Sequence, residues 1–191
     1  GVIGRLTSQK GFDLIGQLIE NLDDLEIQFV LLGKGEQRYH DAFQRVARKR
    51  PDRFSLNLQF DNDLAHKIEA GADMFLMPSL FEPFGLNPLY SLRYGTVPIA
   101  RRTGGLADTV GEYTPEGLAS GESTGFLFDD YSVDALEGAV RAAVDLFPDR
   151  RKWLKLARNG MNQDWSWKRS ATSYAKLYQS LIDARTLISG R

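Results

Sequence analysis

The sequence contains no cysteine, which excludes disulfides and thiolate chemistry. It fits a reducing compartment, so the expected location is cytoplasmic, or plastid if the source is a plant. Histidine is nearly absent too. His40 and His66 both fall on predicted helices without a second ligand four residues on, which argues against a zinc site. No long apolar run is present. The longest runs are short, such as Ile27 to Leu32, and none spans a bilayer. Charge of one sign is not in excess: the formal net charge is −1, so no bulk field draws in nucleic acid or an acidic membrane. The opening residues, GVIGRLTSQKG, lack the basic and long apolar regions of a signal peptide. They read as the end of a buried strand, and a chain opening inside a strand is expected to have been cut from something longer.

What is present is ordinary globular composition, 42% hydrophobic and 26% charged over 191 residues, enough for one domain with a full core. Short apolar runs alternate with amphipathic ones. Strands are predicted at 2–6, 27–32, 54–60, 72–77, 97–100 and 125–128. Helices are predicted at 12–22, 36–50, 61–70, 86–94, 133–147, 153–161 and 170–182. The 111–124 stretch, rich in Gly, Glu, Ser and Thr, reads as a mobile surface loop or a site loop. Strands alternating with helices predict an α/β fold, a Rossmann-like doubly wound parallel sheet with helices on both faces.

Ligands in such sheets bind beyond the carboxyl ends of the strands, and four segments there have unusual residues. Arg5 and Lys10 lie around the turn after strand one, where a guanidinium fork and an ammonium point charge can grip a diphosphate from two sides. A solvated loop ending at a helix cap explains them equally well. Gly33-Lys34-Gly35 closes the second strand; there a backbone can approach a ligand, or simply turn tightly. Pro78 to Tyr90 holds Glu82 between aromatics and prolines, then Gly85 opens a helix whose free amides favour an anion, with Pro88 in its first turn. The alternative is a structural turn with an exposed Glu. Arg101-Arg102-Thr103-Gly104-Gly105 either meets phosphate or forms a solvated edge, and Asp108 either caps a helix or holds Arg102. Asp61-Asn62-Asp63 imitates a metal-binding DxD, but it starts a helix, where such residues cap free amides. Trp153, Trp165 and Trp167 are expected as packing anchors rather than a sugar platform.

Taken together, RLTSQKG, PSLFEPFGL, LYSLRYGTVPIARRTGGLADTV, STGFLFDDYS and WSWKRSATSYAKLY resemble the C-terminal domain of bacterial glycogen synthases and plant starch synthases. These are retaining glycosyltransferases of the two-Rossmann-domain (GT-B) type. The match runs nearly end to end. It implies that residues 1–191 are a single nucleotide-sugar-binding domain. The partner N-terminal Rossmann domain, which would carry the glucan site, lies outside these residues. Helix 170–185 is expected to pack back toward that domain.

The resemblance implies catalytic roles for Arg5 and Lys10 on the donor diphosphate and for Glu82 facing the transferred glucose. It implies donor contacts from Gly33, Gly85, Leu86, Asn87 and Tyr90, with Phe60 stacking on adenine where Tyr is common. Related transferases carry a second Glu where this chain has Tyr90, as bacterial glycogen synthases do. Phe84, Asn87 and Pro88 depart from the common EPCGLTQLY pattern: Phe84 removes a thiol, and Asn87 and Pro88 alter the side chains near the sugar and the next amide available to it. The implied reaction transfers glucose from ADP-glucose, less readily UDP-glucose, to an α-1,4-glucan with retention. No cofactor and no metal are implied. Rival readings are another retaining transferase of the same fold, or a non-catalytic sugar-nucleotide- or glucan-binding module.

Overall fold

The computed structural model describes the backbone of residues 1–189 and the side chains of residues 1–183. Six strands alternate with nine helices among these residues. In chain order they are β1 (Val2–Ile3), α1 (Phe12–Asn21), β2 (Phe29–Leu32), α2 (Gln37–Lys49), β3 (Phe54–Asn57), α3 (Asn62–Gly71) and β4 (Met74–Met77). There follow α4 (Asn87–Tyr94), β5 (Val97–Arg101), α5 (Gly104–Thr109), α6 (Pro115–Ser120), β6 (Phe126–Phe128), α7 (Val133–Leu146), α8 (Arg150–Met161) and α9 (Trp167–Ser189). The expected first strand ends early: only Val2–Ile3 is strand, and Leu6 makes an isolated bridge to Gly35.

All pairings are parallel, in two three-stranded sheets ordered β1-β2-β3 and β4-β5-β6. They meet at Gly1. Its nitrogen donates to Met74 O at 2.7 Å, and the Leu76 amide donates to Gly1 O at 2.9 Å. Across this seam the strands run β3-β2-β1-β4-β5-β6. The order therefore reverses between β1 and β4, and ligands of such sheets bind at the carboxyl ends of the strands at this switch point.

The β4, β5 and β6 runs are apolar at nearly every position because both faces are covered. Leu76, Ile99, Phe126 and Phe128 face a core shared with α1, α7 and α8. Phe75, Met77, Ala100 and Leu127 face the opposite core with Leu106 and Val110. In the first core, Phe12, Phe43 and Phe54 form an aromatic chain with centroids about 6 Å apart.

Three expectations change. The 111–124 stretch is neither free loop nor site loop. Thr114 caps the short helix α6, accepting the Gly117 amide at 2.9 Å. Buried Ser123 accepts the Thr114 amide at 3.0 Å and donates to Glu112 O at 2.7 Å. Strand β3 stops at Asn57 rather than Phe60, leaving residues 58–61 as a turn before the Asp61 cap. Of the three tryptophans only Trp153 is a packing anchor, edge-on to Phe147 at 5.1 Å. Trp165 is partly open, and Trp167 is 84% exposed. They belong to a tail that does not fold onto this domain: Tyr174, Leu177, Tyr178, Leu181 and Ile182 of α9 are also exposed. Residues 184 and 185 of the expected packing helix lie outside the described side chains.

Candidate functional site

The turn after β1 is a 3-10 turn at Ser8–Lys10, closed by Gly11 at φ 76°. A Cβ on Gly11 would lie 2.1 Å from the Pro78 carbonyl oxygen. The glycine therefore lets the turn after β1 press against the turn after β4. Two bonds stitch them: the Leu80 amide donates to Gln9 O at 2.8 Å, and Gln9 Nε2 to Phe81 O at 3.4 Å. A third brace comes from the far side. The Tyr131 hydroxyl donates to Asp13 Oδ1 at 2.7 Å and lies 3.0 Å from Ser8 O; burial, then this bond, raises its pKa above the usual phenol range.

These braces bring Lys10 and Glu82, 72 residues apart, into contact: Lys10 Nζ is bonded to Glu82 Oε2. Ser79, 3% exposed, donates to the same oxygen at 3.3 Å. Glu82 Oε1 has no hydrogen bond to protein among the described residues and lies beside Gly85, whose backbone sits at φ 79°. The Glu82 side chain is 11% exposed. Its carbonyl accepts the Gly105 amide at 3.0 Å.

Helix α4 begins at Asn87, one residue later than the expected 86–94. No side chain caps it, so the first-turn amides have no capping partner, and Pro88 has no N–H to satisfy. Asn87 Nδ2 donates to Ile3 O at 3.1 Å, which ties the start of α4 to the end of β1. Lys10, Ser79, Glu82, Gly85, Leu86 and Asn87 border a recess of about 70 Å³. The recess is far smaller than the nucleotide sugar that the sequence resemblance implies, so it does not enclose one.

Arg5, exposed in the stretch between β1 and that turn, has no side-chain hydrogen bond or ion pair among the described residues. Gly33 is otherwise occupied. A Cβ there would meet Gly4 O at 2.0 Å, so this glycine serves the approach of β1 and β2 backbones. Phe60 is 93% exposed at the carboxyl end of β3. Tyr90 on α4 is half-exposed, edge-on to His66 at 5.7 Å.

The remaining basic pair is committed to structure. Arg101 donates to Leu80 O at 2.7 Å and to Asp129 O at 3.0 Å. Arg102 bonds Glu112 at 2.5 Å and Asp129 at 2.8 Å. Asp108 lies within α5 and neither caps it nor holds Arg102. Asp61 caps α3, accepting the Leu64 amide at 2.9 Å, as expected of a false DxD. Sequence reasoning missed Ser79, Gln9, Gly11 and Gly104. The signals available were a buried-strand Pro-Ser before the Glu and a double glycine after the next strand.

A larger cavity of about 740 Å³ opens at the opposite end of the sheet, bordered by Gly1, Ile27, Phe29, Met74 and Phe147. It lies at the amino ends of the strands, and Arg53 on its wall is bonded to the carbonyls of Asp23 and Leu25. The crevice at the carboxyl ends is the better candidate despite its size, because there, among the described residues, a carboxylate, a lysine ammonium and an uncapped helix start converge.

The family model for glycosyl transferases group 1 matches residues 1–160, which include the whole of this crevice. The chain belongs to that family. Among curated relatives of this glycosyltransferase domain, the glycogen synthase of Anaeromyxobacter dehalogenans (strain 2CP-1 / ATCC BAA-258) is 52% identical over 97% of the chain and 38% of its own length. That of Koribacter versatilis (strain Ellin345) is 48% identical over 97% and 38%. The chain thus spans well under half of the relatives it matches. The catalytic domain of starch synthase IV from Arabidopsis thaliana, solved with ADP and acarbose, superposes with a TM-score of 0.85 at 36% identity, covering 94% of this chain and 37% of that one. HepE of Anabaena, solved with UDP-glucose, superposes at 0.67 with 19% identity over 94% and 48%, a likeness of fold. The doubly wound glycosyltransferase domain is accordingly the GT-B half that the sequence motifs implied. Among the described residues no helix is long and apolar enough to cross a membrane.

Proposed function

We propose that this domain is the donor-binding half of a glycogen or starch synthase, and that the full-length enzyme transfers glucose from ADP-glucose to the non-reducing end of an α-1,4-glucan with retention. One observation carries the reading. Lys10, Glu82 and the uncapped start of α4 converge at the reversal point of the sheet, with Arg5 on the adjoining turn. The identity to glycogen synthases over nearly the whole chain supports a sugar nucleotide as the ligand of that crevice.

In the proposed reaction the C1–O bond to the diphosphate breaks and a glucan 4-hydroxyl attacks from the same face. Negative charge grows on the leaving diphosphate. Arg5, Lys10 and the amides at Gly85 to Asn87 act there most strongly in the transition state. Glu82 offers its unbonded Oε1 to a glucose hydroxyl or to developing positive charge at C1. Phe60 and Tyr90 flank the nucleotide side, with the exposed Phe60 ring as the adenine platform. This role set uses no metal. The glucan is held by an N-terminal Rossmann domain outside these residues, and the exposed apolar side chains of α9 pack on that domain. The location is the cytoplasm, or the plastid in a plant.

Calorimetric titration of the 191-residue chain with ADP, UDP and ADP-glucose tests the assignment. ADP should bind more tightly than UDP. Arg5→Ala and Lys10→Ala should each weaken ADP by about one to two orders of magnitude, the worth of a charge-assisted hydrogen bond. Unchanged affinity in both variants would refute the diphosphate roles. The full-length enzyme should incorporate labelled glucose into glycogen, whereas the chain alone should not, because acceptor and donor are no longer held together.

A further inference from the structure

We propose that the Lys10–Glu82 pair makes this site discriminate between the sugar-bearing nucleotide and the spent diphosphate. The inference rests on the donor-binding reading above. Lys10 borders the crevice and Arg5 lies five residues before it in the chain, and the two cations are not equivalent. Arg5 has no side-chain partner among the described residues, so a phosphate takes it at no internal cost. Lys10 is already bonded to Glu82.

A nucleoside diphosphate without sugar competes with Glu82 for Lys10. When it draws the ammonium away, the largely buried carboxylate keeps only the Ser79 hydroxyl, at 3.3 Å on Oε2. A largely buried charge stripped of its counter-ion is costly, and that cost weakens product binding. The sugar nucleotide differs in what it brings to the other oxygen. Glu82 Oε1 lies beside Gly85 without a protein partner, and a sugar hydroxyl donates there while Lys10 turns to the phosphate. The carboxylate then exchanges one partner for another and stays satisfied. Glu82 thereby weakens retention of the spent nucleotide and leaves the donor less affected. Removing its charge removes the discrimination.

The test is a double-mutant cycle on the 191-residue chain, with ADP and ADP-glucose titrated into wild type, Glu82→Gln, Lys10→Met and the double variant. Glu82→Gln should bind ADP roughly three- to tenfold tighter, the scale of a partly exposed ion pair. Its affinity for ADP-glucose should stay level or fall. In the Lys10→Met background the gain for ADP should vanish, because no partner is left to release. If Glu82→Gln does not fold, Glu82→Ala carries the same expectation. Equal or weaker ADP binding by the Glu82 variant overturns the proposal. A gain that persists undiminished without Lys10 also overturns it, since simple repulsion between carboxylate and phosphate then suffices. Wild-type chain that binds neither ligand removes the donor-binding reading itself, a result distinct from the other two.

Discussion

The carbonyl of Glu82 accepts the amide of Gly105 at 3.0 Å, so the residue whose carboxylate faces the crevice is held from behind by the turn after the next strand. Its side chain is fixed by Lys10 and Ser79 and its backbone by the Gly104–Gly105 turn. The site residue is therefore positioned by groups from three separate strand ends, and each can be tested apart from the chemistry.

Gly104 sits at φ 45°, and a Cβ there would lie 2.1 Å from the Glu82 carbonyl oxygen. Gly104→Ala should lower stability by roughly 2–4 kcal/mol, since a backbone clash adds to the left-handed strain. It should also weaken ADP binding by shifting Glu82 and its Lys10 partner. Urea unfolding and calorimetry on one preparation measure both effects, and full retention of affinity would show that the turn does not transmit to the site.

Ser79→Ala removes the buried hydroxyl from Glu82 Oε2 while leaving Lys10 in place. In the full-length enzyme kcat should fall about tenfold, as a neutral hydrogen bond to a charged group is lost. KM for the donor should change little. A rise in KM at constant kcat would place Ser79 in binding rather than in orienting the carboxylate.

Arg102→Ala separates structural from functional arginines. Its guanidinium is bound to Glu112 and Asp129 and is 38% exposed. Stability should drop by about 1 kcal/mol or less, as for surface ion pairs. ADP affinity should remain within about twofold, in contrast to Arg5→Ala. A large loss of affinity would return the Arg101–Arg102 pair to the phosphate site.

Glu69 on α3 is 3% exposed, and burial raises its pKa from 4.5 to about 7. The folded state thus holds this proton more tightly than the unfolded chain. The associated stability is fully present below pH 4.5 and is lost as the pH rises through about 7. The loss is on the order of 3 kcal/mol at most, from a shift of this size. Glu69→Gln should therefore be more stable than wild type at pH 8 and should flatten the thermal-melting profile between pH 5 and 7. Identical profiles for the two proteins would mean that the carboxyl finds water or a partner when charged.

Much of this arrangement was legible because the physics is local. Apolar runs such as Phe75–Met77 had to be buried on both faces, and the Asp61 cap followed from a carboxylate next to free helix amides. The elements least well read were those whose state depends on remote partners. The 111–124 stretch looked like loose loop because its polar residues satisfy one another internally, through Ser123, Thr114 and Glu112, and no periodicity advertises that. Trp165 and Trp167 looked like core residues because aromatic side chains usually are, yet the tail that carries them leaves the domain.

Composition, periodicity and motif order by themselves determined the class of fold, the strand-end positions of Arg5, Lys10 and Glu82, and the resemblance to glucan synthases. Tertiary structure alone decided which cations are free. Arg5, Lys10, Arg101 and Arg102 all lie at or just after strand ends and look alike in one dimension. Folding brings Leu80 and Asp129 to Arg101, Glu112 and Asp129 to Arg102, and Glu82 to Lys10, while leaving Arg5 unpaired among the described residues. A charge is available to a ligand only when no internal carboxylate or carbonyl already satisfies it. Those partners lie 10 to 72 residues away, beyond the reach of any local pattern.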